Sequence, residues 1–119
     1  MTKMFFLKFF TFFSIISIAI SGPPKLMPFN GDLHELVENM TYPLTCALIS
    51  GSRPIFFDWY RNDEKVMERL NLKIDNQDRI SQLSLSNVQT SDSGKYECHA
   101  KNQYGQDSIA TNILVKGLV

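Results

Sequence analysis

The residue types on which catalysis and cofactor binding usually depend are scarce in this sequence. It has two histidines, two cysteines and six glycines. A catalytic nucleophile needs a base oriented by a third group, and neither His34 nor His99 stands in such a motif. No glycine-rich phosphate loop is present either. We therefore predict that the protein is not an enzyme and uses no cofactor and no small-molecule substrate.

An excess of positive charge is also missing, since 12 basic side chains face 12 acidic ones. Without a basic patch the chain is not expected to bind nucleic acid. The oxygen-rich segment from Asp75 to Asp78 lacks the ligand spacing and the closing glutamate of a calcium loop. A solvated turn is therefore favoured there over a metal site.

The one long apolar run lies at the N-terminus. Lys3 and Lys8 precede an uncharged stretch from Phe9 to Ile20, and small residues stand at Ala19, Ser21 and Gly22. This layout predicts a signal peptide over residues 1–21, cleaved before Gly22. Its removal takes two of the 12 basic residues and leaves 10 against 12 acidic ones.

The alternative to cleavage is an uncleaved membrane anchor. Even from Met4 to Ile20, with Lys8 included, the run has 17 residues, fewer than the roughly 20 apolar residues that a membrane helix needs, and Pro23-Pro24 follow it. No later stretch is long and apolar enough to span a bilayer. We expect one domain over residues 22–117, a C-terminal end at 118–119, and secretion, or display at the cell surface if the chain belongs to a longer anchored receptor.

Export decides the chemistry of the two thiols. In an oxidising compartment, an even number of cysteines in a short chain implies a disulfide, and Cys46 with Cys98 is the one intrachain pairing. Closing a loop of this length stabilises a fold by about 4 kcal/mol in the chain-entropy model. Two reduced core cysteines, or a zinc pair that lacks evident further ligands, are the alternatives.

Between residues 24 and 116 the chain reads as short strands with period-two alternation. Five segments carry the pattern, around residues 44–48, 55–60, 82–86, 95–101 and 109–115. Strands with one apolar and one polar face bury their apolar faces together, and two antiparallel sheets achieve this. The sequence therefore predicts an all-β sandwich of two antiparallel sheets.

With this strand pattern and its two cysteines, the chain resembles an immunoglobulin domain of the I-set subtype. Cys46, Trp59 and Cys98 match the bridging cysteines and the tryptophan that packs on them. Residues 92–98 match the tyrosine corner, and residues 100–105 resemble the last hairpin. The resemblance implies structural roles for Trp59, for Tyr96, whose hydroxyl would bond to upstream backbone, and for the corner residues Asp92 and Gly94.

A finer likeness, over residues 22–116, is to domains of the arthropod Dscam (Down syndrome cell adhesion molecule) family. The residues that carry it are segment 22–29, Ser50-Gly51 with Pro54 and Phe57-Asp58-Trp59, and segment 80–88. Asn39 and Asp63-Glu64 depart from the family, which often has glycine at these turns, and this puts the local turn shape in doubt. By analogy with resembling domains, Arg79 and Asp92 are a candidate structural ion pair.

Asn39 also begins the only glycosylation sequon, Asn39-Met40-Thr41. In a secreted chain, at a turn that enters a strand, Asn39 is predicted to carry a glycan. The alternative is a chance sequon that stays unmodified.

The outward face of the sheet formed by the third, sixth and seventh strands is the candidate interface. It would carry two aromatic residues among charges of both signs, a mixture that suits a protein interface. The candidate residues are Phe56, Asp58, Tyr60, Glu97 and His99. The alternative is that Phe56 is covered within its own domain and the face is merely solvated.

The predicted function is extracellular recognition of a protein partner, in cell adhesion or in immune or neuronal recognition. The Dscam resemblance implies that the partner can be a second copy of the chain. The alternative function is a rigid spacer in a longer multidomain receptor.

Overall fold

The computed structural model describes residues 22–118 and contains nine strands. The predicted signal peptide, residues 1–21, lies outside the described residues. The strands are β1 (Lys25–Leu26), β2 (Leu33–Val37), β3 (Tyr42–Ser50), β4 (Phe56–Arg61), β5 (Glu64–Lys65), β6 (Leu72–Asn76), β7 (Ile80–Leu85), β8 (Gly94–Asn102) and β9 (Gly105–Lys116). One 3-10 turn, Thr90–Asp92, lies between β7 and β8.

The strands form two packed sheets. One has four strands in the order β1-β3-β7-β6, and the other has five in the order β2-β9-β8-β4-β5. The predicted all-β, immunoglobulin-like sandwich is confirmed. Its strand pairs are antiparallel with one exception, because β2 runs parallel to β9 from Leu33 opposite Asn112 to Val37 opposite Lys116.

The parallel pair arises where the chain changes sheets. β1 pairs with β3 in the four-stranded sheet, and the segment that follows contains Pro28 and Gly31, the latter with a φ of 96°. Pro28 cannot donate a ladder hydrogen bond, and Gly31 adopts a backbone angle that other residues avoid. The chain therefore leaves the first sheet here and continues along the free edge of β9.

Alternating side chains from both sheets fill the core. Trp59, Leu83, Leu85, Tyr96 and both cysteines are at most 1% exposed. Strand β7 shows the alternation clearly, since Ser81, Leu83 and Leu85 are buried while their neighbours are not. Period-two patterning thus places one face of each central strand in the core, as the sequence predicts.

The predicted disulfide between Cys46 and Cys98 is confirmed, with a Cα–Cα distance of 6.3 Å. Cys46 lies on β3 and Cys98 on β8, so the bond joins the two sheets. Trp59 is the register partner of Cys98, and its indole nitrogen donates a 2.8 Å hydrogen bond to the hydroxyl of Ser81. At its centre the core is therefore linked between its layers by a covalent bond and by a hydrogen bond.

The segment before β8 forms a polar corner around Asp92. The Tyr96 hydroxyl donates a 2.6 Å bond to the Asp92 carbonyl, and one carboxylate oxygen of Asp92 accepts the backbone N–H of Gln89 at 2.8 Å. Burial raises the pKa of the Tyr96 hydroxyl above its ordinary value, although nearby Arg61 opposes the effect. Gly94 has a φ of 157°, which residues with a side chain rarely adopt, and a Cβ there would lie 2.9 Å from Asn62 Oδ1, the atom that accepts the Lys95 N–H. Glycine is therefore favoured at this position.

The ion-pair partner proposed for Asp92 was wrong. The guanidinium of Arg69, not of Arg79, contacts the Asp92 carboxylate at 2.6 Å. Arg79 immediately precedes β7, whereas the Asp92 corner lies beyond the other end of that strand. The backbone carbonyl of Arg79 instead accepts a hydrogen bond from the Leu48 N–H. The length of β7 therefore separates Arg79 from Asp92.

Asn39 and Asp63, which stand where the family often has glycine, adopt the positive backbone φ angles that glycine usually adopts at such turns. Asn39 has a φ of 74° and Asp63 a φ of 69°, both in the left-handed region. Asparagine and aspartate tolerate this region better than other residues that carry a side chain. Glu64 already belongs to β5.

Candidate functional site

The register between β4 and β8 brings the five candidate interface residues onto one outward face. Asp58 is paired with His99, and Tyr60 with Glu97. Phe56 stands at the end of the same row of outward side chains, while Phe57 and Trp59 between them are buried. The face of the five-stranded sheet therefore presents the residues that the sequence alternation predicts.

A compact cluster forms the centre of this face. The rings of Tyr60 and His99 lie 4.3 Å apart between centroids, at an interplanar angle of 36°. The His99 Nε2 atom is 3.3 Å from one carboxylate oxygen of Glu97, and the Lys95 ammonium is 3.4 Å from the other. Glu97 is thus held between two nitrogen groups.

The electrostatics of Glu97 reflect these neighbours. Desolvation by itself would raise the pKa of the carboxyl group, but hydrogen bonds from His99 and Lys95, and their charges, outweigh it. The net effect holds the pKa of Glu97 below its ordinary value. The carboxylate is therefore charged at neutral pH and is fixed in position by its neighbours.

Two further features lie beside the cluster. Asp58 forms a 3.2 Å ion pair with Lys65 of β5, an exposed contact of small energetic value. Phe56 is 65% exposed and lies opposite Lys101, which has no ion-pair partner among residues 22–118. The alternative that Phe56 is covered within the described domain is therefore wrong.

The lysines that complete this face were not among the candidate interface residues. Lys95 and Lys101 share the alternation of Glu97 and His99, so their orientation was available from the pattern. Lys65 was not, because β5 has two residues and gives no periodic signal. The reasoning also missed Leu70 and Met67 in the β5–β6 connection, which are 96% and 73% exposed.

His34 and the acidic residues of segment 75–78 contact neighbouring protein groups. His34 bonds to the Tyr42 hydroxyl, away from the outward face. Asp75 accepts a hydrogen bond from Gln77, and Asp78 pairs with Arg53 at 3.0 Å. Over residues 22–118 no group of three or more histidine, cysteine or acidic side chains is arranged to hold a metal ion.

Membrane insertion has no helical candidate in the part of the chain that the structure describes. No helix there is both long and apolar enough to cross a bilayer. The outward face of the five-stranded sheet brings aromatic and charged side chains together at Tyr60, Glu97 and His99.

Comparison with known proteins extends these observations. Rat cell adhesion molecule DSCAM is 26% identical over 101 residues, which cover 85% of this chain and 5% of the relative. The chain therefore spans about one-twentieth of the length of that protein. At this level of similarity the Dscam-like resemblance predicted from the sequence is confirmed.

Two solved structures show the same fold. The Dscam1 Ig7 domain, isoform 5, superposes with a TM-score of 0.73 at 23% identity, over 79% of this chain and 97% of that one. The titin I-band fragment I67-I69 superposes with a TM-score of 0.74 at 24% identity. The match covers 80% of this chain and 33% of the titin fragment. A family model described as the immunoglobulin I-set domain matches residues 33–115. The chain therefore belongs to the immunoglobulin I-set family.

Proposed function

We propose that this domain is an extracellular protein-recognition module that binds its partner through the outward face of the five-stranded sheet. The observation that carries the proposal is the 65% exposure of Phe56 beside a cluster of aromatic and charged side chains. Large exposed aromatic side chains surrounded by polar groups are typical anchors of protein interfaces.

The internal pairing of the face supports this role. Tyr60 and Glu97 both contact His99, so the cluster is partly ordered before a partner arrives. Binding then costs less side-chain entropy than it would for free side chains. Phe56 and Lys101 offer an apolar surface and an unpaired charge for the contact.

A second copy of the chain is the first partner to test. The relative named above is a cell adhesion molecule, and adhesion can proceed between identical domains on facing cells. Cell adhesion, with immune or neuronal recognition as its context, is the biological role that we propose.

Sedimentation of the purified domain, residues 22–118, over a range of concentrations tests this proposal. The variant Phe56→Asp should weaken self-association, while Leu70→Asp, at a more exposed apolar residue outside the face, should leave it unchanged. A wild-type domain that stays monomeric at high concentration and does not bind cells would refute homophilic recognition. If it self-associates equally in both variants, this face is not the interface.

The proposal includes export, with cleavage before Gly22 and a glycan on Asn39. The ordered backbone of Gly22 supports that boundary, because its N–H donates to the Ser52 hydroxyl at 3.0 Å and its carbonyl accepts from Asn102 at 2.9 Å. Expression of the full chain in secreting cells, followed by intact mass and N-terminal sequencing, tests it. A secreted protein that retains residues 1–21 would refute the cleavage.

A spacer role is the second candidate, and the positions of Gly22 and Lys116 favour it. Gly22 is bound near the β8–β9 turn, and Lys116 ends β9. Along 12 residues at about 3.3 Å each, the two points are separated by most of the domain's length. If neither self-association nor cell binding is found, a spacer is the function to test by scattering from tandem domains.

A further inference from the structure

The turn between β2 and β3 holds the sequon asparagine in a fixed backbone conformation. The Asn39 N–H donates to the Val88 carbonyl at 2.9 Å, and the Val88 N–H donates to the Met40 carbonyl at 3.1 Å. The turn is therefore attached to the segment after β7 on both sides of Asn39. Asn39 and Thr41 are both exposed.

The side-chain amide of Asn39 is arranged so that its nitrogen is available. Its Oδ1 atom accepts a long hydrogen bond, 3.4 Å, from Gln89. Its Nδ2 atom has no hydrogen-bond partner among residues 22–118. Nδ2 is the atom that N-glycosylation modifies.

Two apolar side chains flank this asparagine. Val37 is 41% exposed and Met40 is 43% exposed. The Met40 N–H donates to the Val37 carbonyl at 3.2 Å, and the Val37 N–H contacts the Met40 sulfur at 3.3 Å. The Met40 side chain thus folds back over the turn toward the backbone of Val37. Two exposed apolar side chains therefore stand within two residues of Asn39, at positions 37 and 40.

We propose that the first sugar of an N-glycan on Asn39 packs against Val37 and Met40 and stabilises this turn. The inference rests on the export and glycosylation proposed above. In the modification, Asn39 Nδ2 loses one proton and bonds to the anomeric carbon of the transferred sugar, while that carbon's bond to the diphosphate of the lipid carrier breaks. One face of the attached pyranose ring carries mainly C–H groups and can cover apolar side chains.

Covalent attachment favours the sugar over a separate protein as the occupant of this surface. The sugar is linked to the residue that lies between Val37 and Met40 along the turn, so its effective concentration there is far above that of a free partner. Because the turn is already fixed by Val88, the sugar does not have to order the backbone.

The first experiment compares thermal stability. Protein secreted by glycosylating cells is measured intact, after an endoglycosidase has left a single N-acetylglucosamine, and as the unglycosylated variant Thr41→Ala. We expect the glycosylated forms to unfold roughly 4 °C or more above the unglycosylated one, with the single sugar giving most of the gain. Met40→Ser keeps the sequon, so this variant is still glycosylated. The difference in unfolding temperature between Met40→Ser and the unglycosylated double variant Met40→Ser/Thr41→Ala should be much smaller than the difference between wild type and Thr41→Ala.

The second experiment measures contact at the sulfur atom. Peroxide should oxidise Met40 severalfold more slowly in the glycosylated protein than in Thr41→Ala. Met67, which is 73% exposed in the β5–β6 connection, is the internal control and should react at the same rate in both.

The outcomes separate the inference from the proposals beneath it. A secreted protein without a glycan at Asn39 overturns both the modification and the packing. A glycan that changes neither the unfolding temperature nor the oxidation of Met40 overturns the packing alone, as does a gain that persists in Met40→Ser. Recognition by the outward sheet face is tested separately at Phe56.

Discussion

Replacing Ser81 with alanine should destabilise the domain far more than the loss of one surface hydroxyl would. Ser81 is fully buried, and its hydroxyl accepts the indole N–H of Trp59 at 2.8 Å. The same hydroxyl donates to the side chain of Asn76 at 2.5 Å. The substitution removes both bonds and leaves the indole nitrogen of a tryptophan that is 1% exposed without its partner.

The expected cost is about 1–3 kcal/mol, the range for leaving a buried polar group unsatisfied. For a domain of this size each kcal/mol lowers the unfolding temperature by roughly 4–8 °C. The removal of one hydroxyl group creates little cavity, so the lost hydrogen bonds account for most of the effect.

Urea denaturation followed by tryptophan fluorescence measures this, because Trp59 is the only tryptophan. Ser84→Ala is the matched control, since Ser84 is on the same strand but on its outward-facing side. It should change stability by less than about 0.5 kcal/mol. A loss for Ser81→Ala no larger than that of the control would refute the view that the Trp59 bond supports the core.

Three further predictions concern the corner, the disulfide and the outward face. Tyr96→Phe should lose about 1–3 kcal/mol of stability, measured by urea denaturation, because it removes the buried 2.6 Å bond to the Asp92 carbonyl; unchanged stability would argue against a structural role for the corner. Reduction of the Cys46–Cys98 disulfide should lower the free energy of unfolding by about 2–5 kcal/mol, measured with and without reductant; equal midpoints would contradict this. Since the folded-state pKa of Glu97 lies below its ordinary value of 4.5, its charged form stabilises the fold above that pH and the benefit is lost as pH falls through the folded pKa. Wild type should therefore exceed Glu97→Gln in unfolding temperature at pH 7 but not in strong acid, and a pH-independent difference would count against the electrostatic explanation.

The sequence predicts the central strands well because their burial alternates. On β7, Leu83 and Leu85 are buried while Gln82 and Ser84 between them are not, and the hydrophobic pattern shows this directly. On β2, by contrast, Leu36 is the one buried side chain, and Leu33 and Val37 are exposed. A strand at the edge of a sheet buries too little to leave a periodic signal, so its parallel pairing with β9 had to come from the structure.

The candidate face was also predictable from the sequence, because it lies on strands whose burial alternates. Phe56 and Glu97 lie on long strands whose buried neighbours fix their direction. The choice of Arg69 over Arg79 as the partner of Asp92 depends on how the β5–β6 connection folds back to the corner, and no local pattern encodes that path. Long-range contacts made by irregular segments are where sequence reasoning fails here.

The parallel pairing of β2 with β9 has a mechanical consequence. If the ends of the domain were pulled apart, β2 would be drawn toward the Gly22 end and β9 toward the Lys116 end. The hydrogen bonds between them would then be loaded in shear and would have to break together, whereas a hairpin pulled from one end opens one bond at a time. Beyond that point, the disulfide would keep the loop between Cys46 and Cys98 from extending, so only the chain outside it could lengthen under load.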